Sequence, residues 1–315
     1  MRRFSMSHLE NLGTQIRIPI SADEGGYLGR ECPVEGCLGY FKITPGTGVK
    51  GPAPCYCPYC GHSGDQKTFF TRDQIEYAKS IVMRQVSDAI RQDLKSLEFD
   101  HKPRGVFGIG LSMKLKESTP LPIRYYREKG LQTEVVCDTC TLRYAIYGVF
   151  GWCPDCGVHN SLQILNKNLE LAQKELDLAK AADIELANHL IGDALENAVS
   201  AFDGFGREIC ARRKADIRFQ NIVAARQKVQ EAFGFDFADS LDPPDWDCTC
   251  RVFQKRHLLA HKMGVIDNDY LQKAKDPAAV IGHKIGVSSD EVKSALEYIE
   301  KLGRRLFSGL FPATP

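Results

Sequence analysis

An arginine and two histidines lie close together in the last quarter of the chain. They are Arg256, His257 and His261, within RVFQKRHLLAHKMGVIDNDYL, residues 251–271. Histidine exchanges protons near pH 7, because its ordinary pKa lies there. Arginine stays charged and its planar guanidinium matches phosphate oxygens. These residue types suit metal-free cleavage of an RNA phosphodiester, in which the 2′-hydroxyl attacks the phosphate, a histidine moves the proton and the arginine faces the charge on phosphorus.

The spacing limits how these groups can meet. Residues five positions apart on a helix, such as Arg256 and His261, point about 140° away from each other. We therefore expect two facing helices, or a helix that ends near Gly264, to bring them to one phosphate. Arg251 and His257 supply a second arginine–histidine pair of similar spacing.

The motif resembles the signature of HEPN domains (higher eukaryotes and prokaryotes nucleotide-binding). The resemblance lies in the Arg-x4-His spacing, the RHxxxH core and the KMGVID segment that follows. It implies an all-α domain whose active members are metal-independent endoribonucleases working as two-fold dimers. By the same resemblance His261 handles the proton, Arg256 stabilises the phosphorane, and His257 orients the phosphate or shares the proton transfer. The products would be a 2′,3′-cyclic phosphate and a 5′-hydroxyl.

The resemblance also implies partners. HEPN ribonucleases often serve in toxin–antitoxin systems or antiviral defence, so we expect RNA, a second copy of the chain, and an antitoxin or other regulatory partner. Basic residues around the motif are candidates for holding the RNA backbone, although such runs are commonly a solvated helix face. The candidates are Arg251, Lys255, Lys262, Arg212 and Arg213. Asp203 and Arg207, one helical turn apart, either orient the histidine or form a surface ion pair.

Cysteines predict metal sites. Eight of the 12 cysteines form four close pairs, and in a reducing compartment such pairs indicate zinc ligation rather than disulfides. The spacing C-x4-C-x19-C-x2-C predicts one four-cysteine site, and C-x2-C-x12-C-x2-C, typical of a zinc ribbon, predicts a second. The predicted ligands are Cys32, Cys37, Cys57 and Cys60 in the first site, and Cys137, Cys140, Cys153 and Cys156 in the second. Both sites would be structural, with no open coordination position.

Other interpretations stay open at this stage. Cys55 could replace Cys57 as a ligand, although Cys-Pro-x-Cys-Gly is the usual knuckle. A thioredoxin-like redox pair would need a βαβ context that the C-x-x-C pairs lack. His257 and His261, four apart on one helix face, could bind a metal with Cys248 or Cys250. Glycines 105, 108 and 110 favour a bent strand over a phosphate-binding loop, because no Gly-Lys-Ser/Thr follows them.

Hydrophobic periodicity gives the elements that position these residues. We predict an α+β multidomain chain, with β-rich zinc ribbons followed by an all-α HEPN-like bundle. Residues 1–70 form a zinc-ribbon-like module, residues 71–130 a connecting helix and strands, residues 131–158 a second ribbon, and residues 159–315 the helical domain. Thr71 should cap a helix that runs to about Phe99. The segments 105–115 and 121–128 are predicted strands. Helices are expected over 162–202, 214–233, around Arg251 and from Ser288 to about Phe307, the last capped by Ser288 or Ser289.

Composition excludes some classes. The chain has 41 basic and 40 acidic residues, so bulk charge does not indicate nucleic-acid binding and any such binding must use local patches. We expect no secretory signal and no membrane span, hence a cytoplasmic protein. Two rivals to the ribonuclease remain: a zinc-ribbon protein that binds nucleic acid or protein through an inert helical dimerisation domain, and a nucleotide-binding subunit serving a separate nucleotidyltransferase.

Overall fold

The computed structural model describes residues 6–48, 54–101, 111–116, 119–131 and 133–311. The chain divides into two compact units, residues 1–158 and 159–315. The first contains small β-sheets and the second is helical. This confirms the coarse expectation of an N-terminal part with β-structure and a C-terminal part built of helices. None of the helices in the described ranges is both long enough and apolar enough to cross a bilayer.

The first unit is organised around a four-stranded antiparallel sheet in the order β1-β2-β8-β7. In chain order its elements are α1 (Ser7–Glu10), β1 (Leu28–Glu31), β2 (Tyr40–Ile43), β3 (Cys55–Tyr56), β4 (Ser63–Gly64), α2 (Arg72–Lys95), β5 (Phe99–His101), β6 (Leu111–Met113), β7 (Thr133–Val136) and β8 (Arg143–Ile146). The hairpin β1–β2 belongs to the first cysteine module and β7–β8 to the second. They join because Lys42 pairs with Ala145 and Ile43 with Tyr144.

Helix α2 begins where the sequence predicts. Thr71 accepts a hydrogen bond from the backbone N–H of Gln74, and the Gln74 side chain accepts one from Thr71 in return. This reciprocal pair satisfies two of the N–H groups that a helix start leaves without partners. The helix ends at Lys95, four residues before the predicted end.

The connecting segment differs from its prediction. Residues 121–128 form no strand; instead the Arg124 backbone donates to Ser80 Oγ of α2, and Glu128 accepts from Gln74 of the same helix. These backbone and side-chain partners replace a β-ladder, so the alternating apolar pattern was misleading there. The other predicted strand, 105–115, survives as β6; its residues 105–110, with their glycines, lie outside the described residues.

The second unit consists of six helices within the described range. They are α3 (Ser161–Ala179), α4 (Ile184–Arg212), α5 (Ile222–Phe233), α6 (Pro243–Lys262), α7 (Asn268–Ala274) and α8 (Ser289–Leu310). Helices α3, α4 and α8 pack on one another, and α6 packs on α4 and α8. Five phenylalanines, each at most 1% exposed, fill the core: Phe202, Phe205, Phe219, Phe237 and Phe253.

Two predicted helices have different boundaries. The predicted continuous helix over 162–202 is broken at 180–183, where Asp183 caps α4 by accepting from the Leu186 N–H. The helix over 214–233 begins only at Ile222. Phe219 is drawn into the core beside Gly206, and Asp203 Oδ1 accepts its backbone N–H at 2.6 Å. That tertiary anchor outweighs local helix propensity. At α8, the cap is Ser288, one of the two serines predicted as candidates, and its side chain accepts from the Glu291 N–H.

Candidate metal centres and the Arg256–His261 motif

The first cysteine group is assembled from two loops of the first unit. Cys32 follows β1 and Cys37 precedes β2, while Cys57 and Cys60 follow β3. The Sγ atoms of Cys32 and Cys60 are 3.6 Å apart, and those of Cys37 and Cys57 are 3.7 Å apart. All four Sγ atoms lie within 4.8 Å of one another.

The second group has the same arrangement. Its Sγ distances are 3.6 Å between Cys137 and Cys156 and 3.5 Å between Cys140 and Cys153. A tetrahedral zinc with Zn–S bonds near 2.3 Å would separate its sulfurs by about 3.8 Å. Both groups are therefore compatible with a four-thiolate metal ion, and they contain the eight cysteines that the sequence predicts.

Each C-x-x-C turn folds back on its first cysteine. The N–H groups of Cys57, Cys137 and Cys153 donate to the carbonyl five residues later, at 2.8, 3.0 and 2.8 Å. The residue after the second cysteine has a positive φ in these three turns and in the Cys32–Cys37 loop, and only two of the four residues are glycines. The values are 46° at Leu38, 73° at Gly61, 62° at Thr141 and 69° at Gly157. The geometry of the turn therefore requires a left-handed backbone at this position. At Leu38 and Thr141 it outweighs the preference of a non-glycine residue for negative φ.

The two metal modules are bonded to each other. Tyr56, just before Cys57, donates its N–H to the Pro154 carbonyl at 2.8 Å, and Trp152, just before Cys153, donates to the Pro58 carbonyl at 2.9 Å. These reciprocal bonds, with the β2–β8 pairing, relate the modules by a local pseudo-two-fold. The repeated Cys-Pro-x-Cys-Gly motif is the sequence signal for this relation, although it does not reveal the pairing.

Cys55 does not belong to the first group. It is buried, its Sγ lies 4.0 Å from the Tyr56 carbonyl, and burial raises the pKa of its thiol to about 12. The group of four that lies within ligand distance contains Cys57 instead. This arrangement agrees with the preference for Cys-Pro-x-Cys-Gly as the knuckle.

In the second unit, the motif lies in the last two turns of α6. Arg256 is half-buried, and its Nη2 donates to Ser200 Oγ of α4 at 3.2 Å, while its Nε is buried without a hydrogen-bond partner. Within the part of the chain that the structure describes, no carboxylate lies within ion-pair distance of this guanidinium. Ser200 was missed by sequence reasoning, because nothing local links it to a residue 56 positions away.

His257 and His261 occupy an exposed face of the same helix. Their rings are 5.0 Å apart between centroids and tilted by 59°. Helix α6 ends at Lys262, with Met263 in the left-handed conformation. Because α6 is continuous from Arg256 to His261, the angular separation of about 140° applies within one chain. The structure thus brings the two histidines together and directs Arg256 towards α4.

The predicted RNA-binding residues are distributed unequally. Lys262 is exposed, with Nζ 4.0 Å from Asp267, and Arg251 Nε donates to the Ala274 carbonyl at 3.5 Å. Arg212, which pairs with Glu208 at 2.8 Å, and Arg213 lie at the end of α4. Arg212 is about 18 Å along α4 from Ser200, at 1.5 Å per residue, so this pair is remote from the motif.

Lys255 has a structural position instead. Its side chain is only 10% exposed, and Nζ donates to Glu291 Oε2 and to the Gly286 carbonyl, both at 2.8 Å. The ammonium joins α6 to α8. A lysine bound in this way does not present its charge to an RNA backbone.

Two alternatives from the sequence are not supported by the geometry. Cys248 and Cys250 form no metal-ligand group with His257 and His261 among the described residues. Cys250 lies about 10 Å before His257 along α6, and burial raises the pKa of its thiol to about 11. Asp203 Oδ1 accepts a hydrogen bond from the backbone N–H of Phe219. Arg207 is exposed, and its Nη1 lies 4.0 Å from Asp203 Oδ2.

Comparison with protein-family models, with curated proteins and with solved structures finds no match to this chain. Its function is therefore inferred from its own residues and their geometry.

Proposed function

We propose that the helical unit is a metal-independent endoribonuclease of HEPN type that acts as a homodimer. The observation that carries the proposal is the exposed pair His257–His261, which follows Arg256 by one and five residues on the same helix, together with the lack of an acidic partner for that guanidinium among the described residues. A cation without a carboxylate keeps its charge for a phosphate. Two adjacent imidazoles provide the proton donor and acceptor that phosphodiester transesterification needs.

In the proposed reaction His261 takes the proton from the 2′-hydroxyl as the oxygen attacks phosphorus. The P–O5′ bond breaks, the leaving oxygen takes a proton from the second imidazole, and a 2′,3′-cyclic phosphate and a 5′-hydroxyl remain. Arg256 donates hydrogen bonds to the phosphorane oxygens. Ser200 acts as a positioning residue that fixes one edge of the guanidinium.

A second copy of the chain would bring Arg256 and His261 to the same phosphate. Arg256 and His261 of one helix point in different directions, so a facing α6 is needed to bring an imidazole opposite a guanidinium. Met263, two residues after His261, is 84% exposed. An exposed apolar side chain so near the histidines fits a contact between copies.

We further propose that zinc is the metal of both cysteine groups, since four thiolates at tetrahedral spacing suit it. Closed four-cysteine sites leave no position for a substrate, so zinc would hold the first unit together and take no part in RNA cleavage. RNA, a second copy and a regulatory partner such as an antitoxin are the partners proposed with this activity, in a toxin or antiviral setting.

Cleavage of RNA by the purified, zinc-loaded protein tests the proposal. We expect a 2′,3′-cyclic phosphate product without added divalent metal, and no cleavage of the same oligonucleotide with 2′-O-methyl groups. His261→Ala or Arg256→Ala should lower the rate by about 10²–10⁴-fold, as expected for loss of a proton-transfer or oxyanion-stabilising group. The matched control is His189→Ala, which removes an exposed histidine that pairs with Asp193 on α4.

Mixing tests the two-chain site. A heterodimer of an Arg256→Ala chain and a His261→Ala chain keeps one intact arginine and one intact His261 on opposite copies, and we expect partial recovery of cleavage. Cleavage of the 2′-O-methyl RNA, or full activity in both single variants, would refute the mechanism. Failure of the mixed dimer to recover would refute the composite site.

A second candidate is RNA capture by the first unit, with or without an active helical unit. Its surface groups Tyr77 with Tyr125 and Tyr126 at ring-centroid distances of 6.0 and 5.6 Å. Tyr125 is 80% exposed, and the exposed Arg124 precedes it. Exposed rings beside cations suit base stacking. Tight RNA binding with no cleavage under any condition would favour this function over the nuclease.

A further inference from the structure

A buried guanidinium in the first unit has no carboxylate within ion-pair distance among the described residues. Arg30 of β1 is only 7% exposed, and its Nε is buried without a hydrogen bond. Its Nη1 donates to the carbonyl of the preceding Gly29 at 2.9 Å, and its Cζ lies 5.1 Å from the centroid of the Phe70 ring. Cys55 and Glu128 interact with it electrostatically. Burying a charge without a partner costs several kcal/mol, so such an arginine calls for an anion.

The other buried cations make the contrast clear. Lys42 on the adjacent strand pairs with Asp23 at 2.7 Å, and Lys255 in the second unit pairs with Glu291 at 2.8 Å. Among the buried lysines and arginines in the described ranges, Arg30 alone lacks a carboxylate within 4.0 Å. Glu128, the acid of its neighbourhood, accepts from Tyr40 Oη and Gln74 Nε2 instead.

Arg30 lines a cavity of about 280 Å³ between the two cysteine modules. Thr44 contributes to the same wall and has a buried Oγ1 with no hydrogen-bond partner. Thr47 and Gln66 add polar groups, and Asp155 of the second module lies at one side. The rest of the lining consists of the Cys55 thiol and of apolar residues or glycine, namely Leu28, Ile43, Pro45, Gly46, Leu142 and Pro154. Arg30 and Thr44 both line this cavity, and each has a buried side-chain atom without a hydrogen-bond partner. Two such residues at one cavity favour a missing polar ligand over two separate defects.

We propose that this cavity binds the phosphate of a small organic phosphate. A guanidinium forms paired, charge-assisted hydrogen bonds with phosphate oxygens, and the Thr44 hydroxyl can donate to the same group. The cavity is near the lower size limit of ligand pockets, with room beyond the anion for a pentose or similar ring against its aliphatic wall. Asp155 can accept from a ligand hydroxyl. The phosphate belongs either to a free nucleotide or to the 5′ end of an RNA.

Titration of the zinc-loaded full chain with phosphate compounds is the direct test. The probes are inorganic phosphate, adenosine 5′-monophosphate, and 2′-O-methyl RNA oligomers with a 5′-phosphate or a 5′-hydroxyl, which the proposed nuclease cannot cut. Calorimetry should give saturable binding, and the melting temperature should rise with ligand. Tighter binding of 5′-phosphorylated RNA than of the mononucleotide identifies an RNA end, and equal binding identifies a free nucleotide.

Three variants locate the site. Arg30→Gln should weaken binding by roughly tenfold or more, since a charge-assisted hydrogen bond is lost, while the melting temperature without ligand stays the same or rises. Thr44→Val keeps the charge and should weaken binding less. Arg143→Gln is the matched control, because it removes an exposed arginine from β8 of the same sheet and should leave binding unchanged.

The opposite results overturn the proposal. No saturable phosphate binding to the wild type, or unchanged binding to Arg30→Gln, would show that the cavity is not a phosphate site. Equal binding of acetate would assign it to carboxylates. If Arg30→Gln loses zinc while Thr44→Val binds phosphate as well as the wild type, the guanidinium serves the metal site instead.

Discussion

In the second metal module, Thr141 adopts a backbone conformation that is unfavourable for its residue type. Thr141 follows the second cysteine of its turn with φ +62°, a left-handed conformation that costs a β-branched residue about 1–2 kcal/mol. Its side chain is exposed, so little packing would be lost on removing it. Thr141→Gly should therefore raise the free energy of unfolding by about 0.5–1 kcal/mol, after allowing for the greater freedom of glycine in the unfolded chain.

Denaturant unfolding of the zinc-loaded protein, followed by tryptophan fluorescence, measures this change. The contrasting variant is Gly157→Ala, at the equivalent position of the partner turn with φ +69°. A Cβ there would lie 2.9 Å from ring atoms of Tyr56, so this variant should be less stable than the wild type. A loss of stability in Thr141→Gly would mean that the 2.6 Å bond from Thr141 Oγ1 to the Cys140 carbonyl outweighs the strain.

Residue-level prediction from sequence succeeded where a short motif dictates geometry. The spacing of the eight cysteines sufficed because both ligands of a C-x-x-C turn come from one tight local loop. It failed where partners are distant in sequence. The bond between Arg256 and Ser200 and the orphaned Arg30 depend on which helices and strands pack together, and no local pattern reveals this.

At the level of elements, helix α6 is held to α8 by a largely buried ion pair. Lys255 Nζ and Glu291 Oε2 are 2.8 Å apart, with 10% and 18% of the side chains exposed. Removing one partner leaves the other charge buried and unpaired, which costs of the order of 3 kcal/mol. Lys255→Met should therefore lower the free energy of unfolding by about that amount, and Lys255→Met with Glu291→Leu should recover most of it.

Urea unfolding of Lys255→Met, Glu291→Leu and the double variant measures the free energies of a double-mutant cycle. The double variant also examines the earlier assignment of Lys255 to RNA binding. If the lysine only joins helices, RNA affinity should survive in the double variant. Unchanged stability of Lys255→Met would contradict a structural ion pair, and loss of RNA binding by a stable double variant would return Lys255 to the RNA surface.

The boundaries of helices and strands were predictable from sequence where local capping sets them, and not where contacts between distant residues set them. The ends of α2 and α8 that have capping side chains, Thr71 and Ser288, were predicted correctly because capping is local. The late start of α5 was not, since it follows from burial of Phe219 against α4. The absent strand at 121–128 likewise reflects hydrogen bonds to α2 that an alternating apolar pattern cannot register.

At the scale of the whole molecule, the two units have cores of different kinds. The apolar cluster around the cysteines of the first unit is small, and its other buried members are Phe41, Phe69, Leu142, Tyr144 and Ile146. The second unit has a much larger cluster drawn from all its long helices and no cysteine group at ligand distance among its described residues. Metal binding should therefore contribute most of the folding free energy of the first unit and little to that of the second.

Removing zinc should unfold the first unit and leave the second unit folded. After chelation we expect proteolysis to degrade residues 1–158 while a fragment of about residues 159–315 survives, because its apolar core needs no metal.

Cys137→Ser should lower the zinc content from two ions per chain to one and make the first unit more sensitive to proteolysis. Cys55→Ser alters a buried cysteine outside both groups and should therefore retain both ions. Mass spectrometry of the fragments and elemental analysis of the metal report the two outcomes. Simultaneous degradation of both units on chelation would contradict an independent helical core, and loss of zinc from Cys55→Ser would move that residue into the ligand set.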